Sequence, residues 1–334
     1  MKINSLKLVN FRNYDDLKID FNNSLIILVG NNGVGKTNLV EAIYTLSLTK
    51  SFRTNNDKNL IKLGYDYAKI EGDIEKSIVN NYQIVISNEG KKVKIDNDVI
   101  SKISDYITNV NIIVLEPDDQ KIFDEAPSER RKLLNIEISK LHKEYIDYLN
   151  NYNKILKQRN FYLRDLSINA NRSKDYLDIL TDKLVKYGIK ICEYRSDFIK
   201  NINKYICNIY KKIFNNDKLI IKYKSDYSNK TYEELMNMYK KNYNKELNTG
   251  KTVYGIHHDD LLFLLNNNIL NEIGSNGQKK NSILSFKLSE LQVINDLKNE
   301  YPILVLDDLF SALDKEKINN ILELLNDNIQ TFIT

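Results

Sequence analysis

The chain alternates between two hydrophobic rhythms. Residues 3–29 repeat every second position, and INSLKLVNF, DLKIDF and SLIILVG read as successive strands. The third is continuously apolar, the pattern of a strand buried on both faces of a parallel sheet. A glycine-rich turn and NLVEAIYTLSL follow, and the latter predicts an amphipathic helix. Residues 67–100 return to alternation and predict an antiparallel ribbon, with NEGKK as a hairpin turn. NVNIIVLEP, residues 109–117, predicts another buried strand, closed by Pro117.

After Pro127 the period changes to that of a helix. Ser128 is the expected N-cap. Leu134, Ile138, Leu141, Tyr145, Tyr148, Tyr152 and Ile155 then recur in steps of four and three. Leu180, Leu184, Tyr187, Ile191, Tyr194, Phe198, Ile202, Tyr205 and Ile209 do the same, and DLSINANRSKD lies between as a turn. The expectation is a pair of antiparallel helices packed along a heptad seam, the first running unbroken over 128–165 for about 55 Å. Strand texture resumes at KLIIKYKSDY, a helical piece spans about 231–247, and residues 281–298 predict an amphipathic helix. YPILVLDDL, residues 301–309, predicts a buried strand ending in acids, followed by a helix over 314–327 and a last strand, TFI. The simplest architecture is one α/β lobe built from both chain ends, residues 1–127 and 215–334. An antiparallel helical-hairpin lobe, residues 128–214, is inserted between them.

Composition narrows the classes. The 334 residues can bury a large core, and 42% hydrophobic with 28% charged residues is ordinary for a soluble protein. Abundant Lys, Asn, Ile and Tyr, with no Trp, reads as A/T-rich coding. A net charge of +4 permits a nucleic-acid partner without requiring one. Cys192 and Cys207 have no metal-ligand spacing, which argues against a structural metal or a disulfide framework and fits a reducing cytosol. No apolar run approaches the roughly 20 residues that span a bilayer, and the N-terminus has no signal-peptide core. A cytoplasmic location without membrane contact is expected.

The candidate chemistry begins at LVGNNGVGKTNLVEAI, residues 28–43. Gly30, Asn31, Asn32, Gly33, Val34, Gly35, Lys36 and Thr37 fit G-x-x-x-x-G-K-[ST] between a strand and a helix. Such a loop wraps nucleotide phosphates with backbone N–H groups at a helix N-terminus. Lys36 is expected on the β- and γ-phosphates and Thr37 on Mg²⁺. In ILVLDDL, Asp307 is the expected second metal ligand and Asp308 the general base on the attacking water. GSNGQKK opens a helix just before that strand, resembling the ABC signature; Ser275, Gly277 and Gln278 would hold the γ-phosphate of ATP bound to a partner subunit. SALD, residues 311–314, follows as a D-loop does. Gln120 in PDDQ stands where a Q-loop glutamine would sense metal and γ-phosphate, and an ordinary loop residue is the alternative. Arg12 in NFRNY and Arg53 in KSFRT are candidates for phosphate contact or for a solvated face.

Taken together, NFRNY at 10–14, GNNGVGKTNLVEAI at 30–43, KSFRT at 50–54, Arg130-Arg131, HDDL at 258–261, SNGQ at 275–278 and LDDLFSALD at 306–314 resemble the RecF family. These are bacterial recombination-mediator ATPases related to SMC proteins, and the resemblance covers essentially the whole chain. It implies an ATP-dependent homodimer that clamps DNA at single-strand gaps and double-stranded junctions. It also implies slow, DNA-stimulated ATP hydrolysis, action with RecO and RecR to load RecA, and roles in repair, replication restart and the damage response. Some positions depart from the family pattern. GIHHDD stands for GPHRDD, with His258 in place of an Arg; SNGQ stands for SQGQ; Asp124-Glu125 replaces a Lys-Gly pair; and family members commonly run on past the Thr-rich strand at Thr334. These bear on DNA contact and hydrolysis rate. A binding module that holds ATP without turnover, and an ABC-type nuclease or transport subunit, are the competing readings.

Overall fold

The computed structural model describes residues 1–31, 33–169, 172–214, 217–308, 313–325 and 327–334. Two compact units form: Met1–Gln120 with Tyr205–Lys218 and Ser275–Thr334, and Lys121–Lys204 with Leu219–Gly274. Both chain ends meet in the first unit, whereas residues 219–274 group with the helices. This division does not coincide with boundaries at 127 and 214.

In chain order, the first unit opens with β1 (Lys2–Phe11), β2 (Tyr14–Asp20), β3 (Leu25–Ile27), α1 (Lys36–Leu48), β4 (Tyr67–Glu75), β5 (Val79–Ser87), β6 (Gly90–Ile95), β7 (Asp98–Val99), α2 (Ile103–Ile107) and β8 (Ile112–Leu115). Next come α3 (Pro127–Leu141), α4 (Lys143–Ile168), α5 (Lys174–Ile213), β9 (Leu219–Lys224), α6 (Tyr232–Lys241), α7 (Tyr243–Thr249), β10 (Asp260–Leu265), β11 (Asn268–Ile269) and α8 (Leu270–Ile273). The chain closes with α9 (Asn276–Lys298), β12 (Ile303–Leu306), α10 (Lys315–Leu322) and β13 (Thr331–Ile333).

The first unit has an antiparallel sheet in the order β2-β1-β4-β5-β6-β7 and a parallel sheet in the order β3-β13-β12-β8. Alternation sets the register of the antiparallel sheet: Leu8, Ile70 and Ile84 align across β1, β4 and β5 and all point into the core. Helix α1 packs against β1, β4 and β5 and also against β8. Contact with both sheets buries every residue from Leu39 to Leu48, so the expected polar face is missing. Gly72 lets α1 approach, because a Cβ there would sit 2.8 Å from Leu46 Cδ1. Likewise α9 is buried continuously over Ser282–Leu291 rather than amphipathic, with β8 among its contacts.

Strand β3 is parallel, as expected, but it is the edge of its sheet. Leu25 is 48% and Ile27 61% exposed, because β13 pairs with one side only. The apolar run therefore reports a parallel strand and not a doubly covered one.

In the second unit the helix expected over 128–165 is broken. Its N-cap is Ala126 with Pro127 in the first turn, not Ser128, and it stops at His142, whose backbone is extended (φ −134°, ψ 109°). A heptad rhythm cannot reveal such a break, since α3 and α4 each preserve it. The antiparallel pairing holds: Tyr145 meets Tyr194, Tyr148 meets Tyr187, and Tyr162 meets Tyr176 across α4 and α5. A three-stranded sheet, β11-β10-β9, completes this unit.

Candidate nucleotide site

The phosphate loop follows β3 directly. Gly33 (φ 86°) and Gly35 (φ 111°) both occupy left-handed backbone that a side chain would strain. At Gly35 there is also no room: a Cβ would lie 2.7 Å from Asn13 Nδ2 and 2.9 Å from the Tyr14 hydroxyl. These two neighbours brace the loop, since Asn13 Nδ2 donates to the Val34 carbonyl (3.2 Å) and Tyr14 to the Gly35 carbonyl (3.0 Å). Part of the NFRNY motif thus acts on the loop's own backbone. Lys36, first in α1, curls back and donates to the carbonyls of Gly30 (2.6 Å) and Asn31 (3.2 Å). Val34 is half exposed at the rim. Asn32 lies outside the described residues.

The acidic strand meets this loop. β12 is wholly buried and ends at Leu306, and the Asp307 amide donates to the Leu115 carbonyl of β8 (2.9 Å). Asp307 is buried, and its carboxyl is pushed above the usual range by that burial. Hydrogen bonds from Thr334 and Thr37 and the charge of Arg53 oppose the shift. Thr37 is near enough to act on the Asp307 carboxyl, which brings the two expected metal ligands together. One hydroxyl and one carboxylate suit Mg²⁺, which keeps most of its ligands as water and phosphate oxygen. Gln120 Oε1, beyond β8, is buried without a hydrogen-bond partner among the described residues.

Asp308 follows with a left-handed backbone (φ 49°), exposed to solvent. Sequence reading missed what holds it. Thr334 Oγ1 accepts from the Asp308 amide (2.9 Å) and donates to Asp307 Oδ1 (2.7 Å), so one hydroxyl ties both acids. Glu116 was missed as well, although an acid directly after a buried apolar strand is the same signal that marks Asp307. Burial, then Asp119, raises its carboxyl to about 7, against the pull of Lys287.

The two candidate arginines separate. Arg12 donates through Nε and Nη2 to Glu41 (2.8 and 2.6 Å) and through Nη1 to the Asn59 carbonyl (2.8 Å), so all three nitrogens are engaged. Among the described residues the Arg53 guanidinium bonds only through Nη1, to Asn38 Oδ1 (2.9 Å) and Glu41 (3.4 Å). Glu41, buried on α1, was not singled out in the sequence because its neighbours there are apolar.

Ser275 and Gln278 form a capping box at the start of α9. The Gln278 amide donates to Ser275 Oγ (3.2 Å), and the Ser275 amide donates to Gln278 Oε1 (3.0 Å). Ser275 Oγ accepts in this cap, and its hydroxyl has no acceptor among the described residues. Among the described residues nothing stands within 4 Å of a Cβ built at Gly277, so the space beside it is open. Residues 309–312, including the Ser and Ala of the expected D-loop, lie outside the described residues. Asp314 caps α10 by accepting from the Lys317 amide.

The HDDL motif occupies the second unit and behaves differently. Arg130 grips Asp260 with Nε and Nη2 (2.6 and 3.1 Å), and Arg131 donates to the Asp259 carbonyl (2.8 Å). Arg195, 1% exposed, donates to Asp259 Oδ2 (2.6 Å), the Ile256 carbonyl (2.8 Å), Asn135 (3.0 Å) and Tyr145 (3.1 Å). His258, at the departure from the family pattern, lies against His257 with ring centroids 4.2 Å apart and planes tilted by 45°. The Glu125 and Ile122 carbonyls accept from Arg130, so backbone rather than side chain serves at the Asp124-Glu125 departure.

The family model for the RecF/RecN/SMC N-terminal domain matches residues 2–334. The DNA replication and repair protein RecF of Oenococcus oeni is 38% identical over 345 residues, covering 100% of this chain and 92% of that one. RecF of Bacillus subtilis is 38% identical over 343 residues, covering 100% and 93%. A solved structure of the recombination mediator protein RecF with ATP, in the RecFOR pathway, aligns with a TM-score of 0.91 at 30% identity, covering 99% and 91%. The Smc head domain of Pyrococcus furiosus aligns with a TM-score of 0.55 at 15% identity over 99% and 88%, a likeness of fold alone.

Proposed function

The chain belongs to the RecF family, with the ABC-type ATPase head fold of that family, and we propose that it is an ATP-operated DNA clamp of replication and repair. One observation carries the reading. The phosphate loop and the acidic strand, some 270 residues apart in sequence, leave the same end of one parallel sheet, where β13 lies between β3 and β12 and Thr334 at its end bonds Asp307. The solved relative holds ATP. Here the loop backbone and Lys36 would bind the triphosphate, and Thr37 and Asp307 would hold Mg²⁺, with Gln120 as a further oxygen. Mg²⁺ supplies charge neutralisation at the phosphates. Asp308 orients and deprotonates the attacking water.

The open N-terminus of α9 then acts on a second subunit's nucleotide. Ser275 offers a proton, Gly277 its bare amide, and Gln278 fixes the cap that aims both. ATP would join two subunits while its γ-phosphate remains, and slow, DNA-stimulated hydrolysis would release them. The DNA partner is a single-strand gap or double-stranded junction. RecO and RecR act alongside to load RecA during repair, replication restart and the SOS response. The contact is phosphate-directed and weakens with salt. No described helix is long and apolar enough to cross a membrane, consistent with work in the cytoplasm.

The test is the mass of the Asp308→Asn protein by light scattering, with and without ATP and Mg²⁺. A monomer that becomes a dimer only with ATP is expected. A mass that ATP leaves unchanged while ATP still binds would sink the clamp and favour a non-dimerising ATP-binding module.

A further inference from the structure

Glu41 sits one turn into α1, fully buried, and is bonded to both candidate arginines. Its carboxylate accepts from Arg12 twice, from Ser51 Oγ (2.5 Å) and from Arg53 Nη1 (3.4 Å). Two guanidiniums thus share one carboxylate, leaving an excess positive charge beside the phosphate loop. The sharing is unequal. Arg12 is 20% exposed and held by a two-bond fork, whereas Arg53 is 43% exposed and held by one long bond. Arg53 is also tethered through Asn38 Oδ1, Asn38 Nδ2 to Asn13 Oδ1 (2.8 Å) and Asn13 to the Val34 carbonyl, which places it at the rim of that loop. Its Nε and Nη2 have no partner among the described residues. A guanidinium with two adjacent free N–H groups matches the oxygens of a phosphate better than any other side chain does.

We propose that Glu41 is a positioning residue: it locks Arg12 as a structural tie and holds Arg53 at the loop with two N–H donors directed to the terminal phosphate of the bound nucleotide. This rests on the nucleotide reading above and divides the roles of the two arginines. Arg53 is the group that distinguishes a triphosphate from a diphosphate. Glu41 sets its place without touching the ligand.

The test is calorimetric binding of ATP and ADP, each with Mg²⁺, to the full chain and its variants. Arg53→Gln should weaken ATP about tenfold and ADP less than about twofold, the size of one lost charge-assisted contact. Arg53→Lys should recover part of the loss. Glu41→Gln should lower the ATP/ADP ratio in the same direction and add nothing further when combined with Arg53→Gln. A merely structural Glu41 would weaken both nucleotides equally and additively, and that result overturns the proposal. If Glu41→Gln does not fold, Asn38→Ala, which cuts the other tether, takes its place in the same cycle with the same two outcomes. An Arg53→Gln protein whose ATP/ADP ratio is unchanged also overturns it. Wild-type protein that binds neither nucleotide overturns the nucleotide reading, and this inference with it.

Discussion

The phosphate-loop region and the HDDL region are both dense in charged motif residues, yet their polar groups are used in opposite ways. In the second unit Arg130, Arg159 and Arg195 each have all three guanidinium nitrogens bonded to protein. In the first, among the described residues, Arg53 keeps two nitrogens unbonded, Gln120 Oε1 has no donor, and no atom stands within 4 Å of a Cβ built at Gly277. Burial explains the contrast. An unpaired charge inside protein costs several kcal/mol, so the guanidiniums of the HDDL network are saturated as a brace, although Asp259 Oδ1 is left without a hydrogen-bond partner among the described residues. A site for an anion must keep donors in reserve. The density of a motif does not tell brace from site; the remaining bonding capacity does.

The comparison predicts separable losses. The largest is Arg195→Met. It strips Asp259 of its buried partner and should cost about 3–5 kcal/mol in chemical denaturation, while the folded fraction keeps its ATP affinity. A parallel loss of ATP affinity in folded protein would break the distinction between brace and site. Lys36→Met should do the reverse, weakening ATP by about 100-fold with the denaturation midpoint nearly unmoved, since among the described residues Lys36 bonds only loop carbonyls at the exposed rim.

A pH effect comes next and belongs to the brace. Burial, then His258, lowers His257 from 6.5 to about 4. Tyr152 bonds its Nδ1 (2.7 Å) and the Thr252 carbonyl faces its Nε2 (3.2 Å), which assigns the neutral ring with the proton on Nε2. The folded state therefore binds fewer protons than the unfolded chain between those values. Its stabilisation is complete above pH 6.5 and is lost as pH falls through 4, by at most about 3 kcal/mol. His257→Asn should flatten that part of the stability profile; an unchanged slope would assign the loss to other groups. The smallest effect sharpens the site. Ser275→Ala should cost about 1 kcal/mol through the lost cap, whereas Ser275→Asp keeps a good cap. If Ser275 faces a partner's γ-phosphate, Asp should retain stability yet abolish the ATP-dependent dimer by charge repulsion.

Much of the site was legible because its code is short. A phosphate loop needs glycine at Gly33 and Gly35, a lysine and a hydroxyl at the start of a helix, all within eight residues, and no distant packing alters that demand. The buried strand ending in Asp307 is equally local. The rhythm of the second unit disclosed paired helices but hid the break at His142, because periodicity survives a kink.

What the sequence determined by itself was the chemistry that one turn or one strand can impose: the phosphate loop, the acidic strand and the antiparallel ribbon. Tertiary structure alone decided which arginine is locked on Glu41 and which keeps free donors, and that Thr334 ties Asp307 to Asp308. It also decided that β3 lies at an edge and that α1 has no polar face. Those outcomes depend on groups brought together across 12 to 29 positions of chain, such as Glu41 with Arg53 and Arg12, and on which surfaces neighbouring layers happen to cover. A hydrophobic pattern records that a residue is apolar or charged. Only packing determines what stands opposite it.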